Sequence, residues 1–163
     1  MSPKLPCELL PGDHLIYTGR AFVDRLIQLK TFSMASHIEI YAGSDQSAAS
    51  RPGKRKGVRL YPLRKEDLAY VLRPTMPFDF QAAMVWFYGH AIGAPYAYTE
   101  LVNFFLPGAV FNAQGMVCST FARMFDEHGS FYPFKPEWTE LKVAPANFLM
   151  VNCFDWVWTK EKM

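Results

Sequence analysis

The chain has 163 residues, half of them hydrophobic, enough to bury one substantial core and to predict a single domain over residues 1–163. Its formal charge of +2, from 17 basic and 15 acidic residues, gives no overall bias toward nucleic acid or acidic partners. Three cysteines, Cys7, Cys118 and Cys153, fit neither metal-ligand spacing nor a disulfide framework, so the expectation is no metal, no cofactor and a reducing compartment.

The first residues lack a charged segment followed by an apolar stretch, and no apolar run approaches the ~20 residues needed to cross a bilayer. The chain is therefore expected to be cytoplasmic as synthesised and to have no transmembrane segment. Action elsewhere would require another protein, lysis or a virion to deliver it.

Pro11-Gly12-Asp13 is a turn leading into His14-Leu15-Ile16-Tyr17, a first strand. Residues 21–32 show helical spacing at Phe22, Leu26 and Leu29. Ser36-His37-Ile38-Glu39-Ile40-Tyr41 alternates polar and apolar residues, which predicts a half-buried strand with His37 and Glu39 on one face. After the turn Ala42-Gly43-Ser44-Asp45 comes a short stretch of small and polar residues, 46–50. The basic run Arg51-Pro52-Gly53-Lys54-Arg55-Lys56 follows, read as a solvated turn between strands or an anion contact. Residues 57–61 alternate again, and 68–73 are apolar enough for a central strand, so these pieces predict an antiparallel meander.

Beyond Pro77, Asp79 is an N-cap candidate for a helix over about 80–92 that Gly93 would stop. A second helix is expected over 98–106 and a third over 118–128, ending at Gly129. Three prolines make the next region irregular, and residues 153–158 read as a late strand that closes the sheet. No internal repeat or low-complexity tract interrupts this order.

Cys118 opens the third of these helices. A thiol at a helix N-terminus faces unpaired backbone N–H groups and the positive end of the helix dipole, which favours the thiolate and nucleophilic chemistry. His37 is the candidate base, brought to the thiol by the fold rather than by sequence adjacency. Glu39, on the same strand face, is the first candidate to orient the imidazole, and Ser47 or Ser50 on the adjacent strand are the others. Tyr96, after Gly93-Ala94-Pro95, is a candidate cleft residue, with Ser50 as a second substrate contact. Each has a plainer reading: Cys118 as a buried small hydrophobe, His37 as a satisfied strand histidine, Glu39 as an exposed carboxylate, Tyr96 as a core tyrosine. His14 reads as structural, while His90 and His128 fall in helices without an identifiable partner.

Gly12-Asp13, Ser36-His37-Ile38-Glu39-Ile40-Tyr41-Ala42-Gly43, Gly57-Val58-Arg59-Leu60-Tyr61-Pro62-Leu63, Gly93-Ala94-Pro95-Tyr96, Val117-Cys118-Ser119 and Ala144-Pro145-Ala146-Asn147-Phe148 occur in that order. Together, over about residues 11–149, they resemble the circularly permuted NlpC/P60 papain-like cysteine hydrolases, the YaeF/YiiX-type amidases. The resemblance implies an α+β, permuted papain-like fold in which a helix carrying Cys118 packs on an antiparallel sheet or half-barrel carrying His37. It also implies hydrolysis of amide bonds through an acyl-enzyme, with cell-wall peptides, hence peptidoglycan, as the leading substrate class. Many such relatives carry an acidic residue on the strand after the histidine, where this chain has Ser47-Ala48-Ala49-Ser50.

Two alternatives accompany that reading. Permuted relatives of the lecithin:retinol acyltransferase type act on acyl lipids, although their Asn-Cys-Glu-His run is absent here, where Val117-Cys118-Ser119-Thr120 stands. The apolar stretch over residues 104–111 would, if exposed beside the cleft, receive an acyl chain or touch a membrane surface, keeping a lipid amidase, thioesterase or acyltransferase in view. The second alternative is a catalytically silent binding or structural module on the same fold.

Overall fold

The computed structural model describes residues 7–53, 56–105, 115–139 and 143–160. Six strands form one open antiparallel sheet: β1 (His14–Tyr17), β2 (His37–Gly43), β3 (Gln46–Arg51), β4 (Gly57–Pro62), β5 (Leu68–Pro74) and β6 (Phe154–Thr159), in the order β4-β3-β2-β1-β5-β6. The helices are α1 (Phe22–Thr31), α2 (Phe80–Trp86), α3 (Tyr98–Phe105), α4 (Cys118–His128) and the short α5 (Pro145–Phe148). The architecture is therefore α+β. The expected meander holds for β1 to β4, while β5 returns to the far side of β1 and β6 closes that side as an edge strand.

Strand alternation sorts the sheet into two unlike faces. Ile16, Ile38, Ile40, Ala48, Val58 and Leu72 line one face and pack with Phe121, Ala122 and Phe125 of α4, and with Ala83, Trp86 and Phe87, into the main core. The other face carries Leu15, Tyr17 and Val71, in a smaller cluster bordered by Leu9, Tyr41 and Leu63. The Tyr17↔His37 and Leu15↔Glu39 register places His37 and Glu39 on this second face. β3 supplies only small side chains from Ser47 to Ser50, all buried, which lets α4 approach it closely.

The expected helix over 80–92 is α2 followed by one π-helical turn, Phe87–Ala91. Asp79 caps α2 as predicted, its Oδ1 accepting from Ala82 N at 2.9 Å. Gly93 stops the turn with φ of +88°, a value that favours glycine. Among the described residues, no helix is long and apolar enough to cross a membrane.

The helical spacing of Phe22, Leu26 and Leu29 does mark α1, but this stripe does not face the core. Phe22 and Leu29 are exposed, and Ile27 is the residue α1 buries. Arg51 is also not part of a solvated turn: it ends β3, paired with Gly57, and its guanidinium turns inward. Lys54, Arg55 and the apolar residues 106–111 lie outside the described residues.

Candidate active site

α4 begins at Cys118 because the chain before it is held extended and tightly fixed. Gly115 has φ of +106°, and a Cβ there would lie 2.0 Å from the Pro95 carbonyl oxygen, so only glycine fits this approach. Met116 N donates to Pro95 O at 3.1 Å, and Ser50 Oγ donates to Met116 O at 2.6 Å. Ser50 is fully buried on the α4 face of β3, so its hydroxyl fixes the loop that delivers Cys118. The Gly93-to-Tyr96 loop is tied in turn to β4, with Val58 N donating to Ala94 O at 2.9 Å and Gly93 N donating to Val58 O at 2.8 Å.

No side chain caps the N-terminus of α4, whose N-cap residue is Val117. The first backbone amides of an α-helix have no intrahelical acceptor, and here they surround a thiol. Within the same first turn, Thr120 Oγ1 donates to Glu100 of α3.

His37 is the first residue of β2, and Cys118 is near enough to act on its imidazole electrostatically. Nε2 lies 2.9 Å from Glu39 Oε1, which leaves Nδ1 as the ring nitrogen for the thiol. Burial would depress the imidazole pKa. The negative charge and hydrogen bond of Cys118, followed by the hydrogen bond and charge of Glu39, outweigh that burial and hold the pKa at about 9. Beside the Glu39 carboxylate, the imidazole is therefore favoured in its protonated form.

Glu39 is fully buried and is met by a set of donors that removes the cost of its charge. Arg51 donates from Nε to Oε1 at 2.8 Å and from a terminal nitrogen to Oε2 at 2.9 Å, a bidentate pair. Arg64 adds a 3.2 Å bond to Oε1, and Ser47 Oγ donates to Oε2. Burial would raise the carboxyl pKa, but the hydrogen bond and charge of His37, then those of Arg51, hold it well below the usual carboxylate range. Two aromatic rings back the guanidiniums: Arg51 Cζ lies 4.2 Å from the Tyr61 ring centroid and Arg64 Cζ 4.6 Å from that of Tyr17.

Of the three groups that sequence left open behind the imidazole, Glu39 is the one in contact with it. Strand parity separates the two serines: Ser47 shares Glu39's face and braces its carboxylate, while Ser50 points to the opposite face and the Cys118 loop. Sequence reasoning missed Arg51 and Arg64 as partners of Glu39. The signal available was physical, since a carboxylate placed in a buried stretch of strand needs cations and donors.

A cleft of about 260 Å³ opens beside His37. Tyr17, Tyr96, Arg51 and Arg64 wall it, and Val23, Asp24 and Ile27 of α1 contribute a further side. Tyr96 thus lines the cleft, bridged to Met116 on the approach to Cys118. Cys118 itself is 4% exposed, so the thiol lies deep at the junction of helix and sheet.

His14 stands apart from this site. Its Nε2 lies 2.9 and 3.0 Å from the two oxygens of Asp126 on α4, and its Nδ1 lies 3.0 Å from Gly12 O, all within the core. His128 stacks on Trp86 with ring centroids 4.5 Å apart. No protein-family model matches the chain, and no curated protein matches it significantly.

Proposed function

We propose that the chain is a cysteine hydrolase of the permuted papain-like type, cleaving amide bonds with Cys118 as nucleophile, His37 as acid and base, and Glu39 as the group that orients the imidazole. The observation that carries this reading is the position of His37, within electrostatic reach of Cys118 and bonded to a carboxylate that is itself fixed by two arginines, at the wall of an open cleft. The packing of the Cys118 helix on an antiparallel sheet, with His37 preceding Cys118 in the chain, supports the permuted arrangement.

The chemistry follows from these positions. The Cys118 thiolate attacks the carbonyl carbon, forming a C–S bond and placing negative charge on the carbonyl oxygen. Amides at the uncapped start of α4 are the donors available to that oxygen. The imidazolium of His37 gives its proton to the departing amine as the C–N bond breaks, leaving the acyl-enzyme. Neutral His37 then takes a proton from water as the water oxygen attacks the thioester, and the thiolate leaves with the acid released. Glu39 remains ionised throughout and holds the ring in place.

Peptides of the cell wall are the leading substrate class. A lipid amide or ester is the second reading, favoured by the exposed Phe22 and Leu29 on the helix that walls the cleft. Incubation with purified peptidoglycan fragments and with acyl-lipid amides and esters, followed by mass spectrometry, separates the two. New free peptide ends support the first reading, acyl release or transfer the second, and no turnover of either class contradicts both.

A further inference from the structure

α1 carries its apolar stripe on the wrong side for a helix that only packs on a core. Residues four and seven apart share a helix face, so Phe22, Leu26 and Leu29 form one ridge, with Arg25 and Lys30 on either side. Phe22 is 75% and Leu29 70% exposed, and the turn after the helix adds Phe32 at 93% and Met34 at 63%. Phe32 holds a φ of +49°, a conformation in which a bulky residue is disfavoured and glycine or asparagine the usual choice. The conformation closes the C-terminus of α1, with Phe32 N and Ser33 N both donating to Gln28 O, and leaves the ring projecting into solvent.

Cations flank the ridge. Arg20, Arg25 and Lys30 are exposed cations, and Lys30 Nζ also lies 5.6 Å from the Phe105 ring centroid at the end of α3. The one acidic residue of α1, Asp24, lies on the opposite side, where it accepts from Ala21 N and lines the cleft. An apolar ridge edged by cations matches the boundary between acyl chains and anionic headgroups, where apolar side chains enter and lysine and arginine reach the phosphates.

We propose that α1 and the turn after it dock the protein on an anionic lipid surface, with Phe22, Leu29, Phe32 and Met34 inserted and Arg20, Arg25 and Lys30 at headgroup level. Because Val23, Asp24 and Ile27 wall the cleft, docking sets the cleft beside the lipid boundary. The docking surface does not depend on the chemistry of Cys118.

Flotation with vesicles of phosphatidylcholine alone, and of phosphatidylcholine containing phosphatidylglycerol, tests it directly. The full chain is expected to float with the anionic vesicles, and more weakly with neutral ones. Phe22→Ser with Leu29→Ser and Phe32→Ser should lower the partition coefficient by at least ~10-fold, because exposed side chains that inserted no longer do so. Arg25→Glu with Lys30→Glu should cost on the order of 10-fold or more on anionic vesicles and erase their advantage over neutral ones. Cys118→Ala should float like the parent, which separates this surface from catalysis, and circular dichroism melts check that the serine variant folds. Failure of the parent to float with anionic vesicles would overturn the proposal. So would a folded serine variant that floats equally well, or parent dimers in sedimentation that this variant loses while vesicles go unbound.

Discussion

The sheet holds two buried imidazole–carboxylate pairs, and they are built for different ends. In His14–Asp126 both ring nitrogens are occupied, by a carboxylate and by the Gly12 carbonyl, and neither side chain reaches solvent. In His37–Glu39 one ring nitrogen is left for Cys118, the ring borders a cleft, and the carboxylate is held by two arginines and a serine. A strand histidine facing a carboxylate is thus no signature by itself. What separates a tie between β1 and α4 from a candidate acid–base group is the second ring nitrogen and its access to a thiol.

That contrast breaks if the wrong pair proves essential for turnover. Cys118→Ala and His37→Ala should each lower turnover by at least ~10³-fold, Cys118→Ala with little change in melting temperature. Asp126→Ala should do the reverse, costing ~1–3 kcal/mol because it leaves Nε2 of a buried imidazole without its partner, with turnover per folded molecule largely kept. Denaturant melts alongside steady-state assays on the same preparations would show whether the two effects separate. Glu39→Ala is expected to combine them, since it strands Arg51 and the imidazole together.

Smaller effects sharpen the comparison through pH. Turnover should fall as pH rises through about 9, where His37 loses its proton, and Glu39→Gln should move that limb to lower pH by removing one of the charges that hold the imidazolium. The same shift links to stability. The folded pKa of His37 lies above its ordinary 6.5, so its contribution is complete below 6.5 and lost as pH rises through about 9. Glu39 has the opposite sign: its folded pKa is depressed, so its contribution is present above its ordinary 4.5 and lost as the solution is acidified below that. Ser47→Ala, which removes one donor of several, should cost only ~1 kcal/mol and displace the upper limb slightly.

The strands and the Cys118 helix were legible because alternation, caps and glycines act locally: Asp79 and Gly93 mark their helix ends by side-chain and backbone chemistry that needs no tertiary context. Cys118 and His37 could be singled out as candidates from residue type and placement alone. Three things were not legible. Periodicity at Phe22, Leu26 and Leu29 reports a helix but not which way its stripe faces, and here it faces out. The choice among Glu39, Ser47 and Ser50 depended on register across β2 and β3, where a shift of one residue exchanges the faces. Arg51 and Arg64 reach Glu39 from 12 and 25 residues away, distances over which sequence carries no geometric signal.

Alkylation of the three free cysteines by iodoacetamide across pH tests whether His37 activates Cys118. Burial raises the pKa of Cys7 and of Cys153, so both should react slowly near neutrality. Cys118 should be alkylated fastest despite its burial, and His37→Ala should slow it while leaving Cys7 and Cys153 unchanged. Equal rates at all three cysteines, or a Cys118 rate indifferent to His37→Ala, would contradict it.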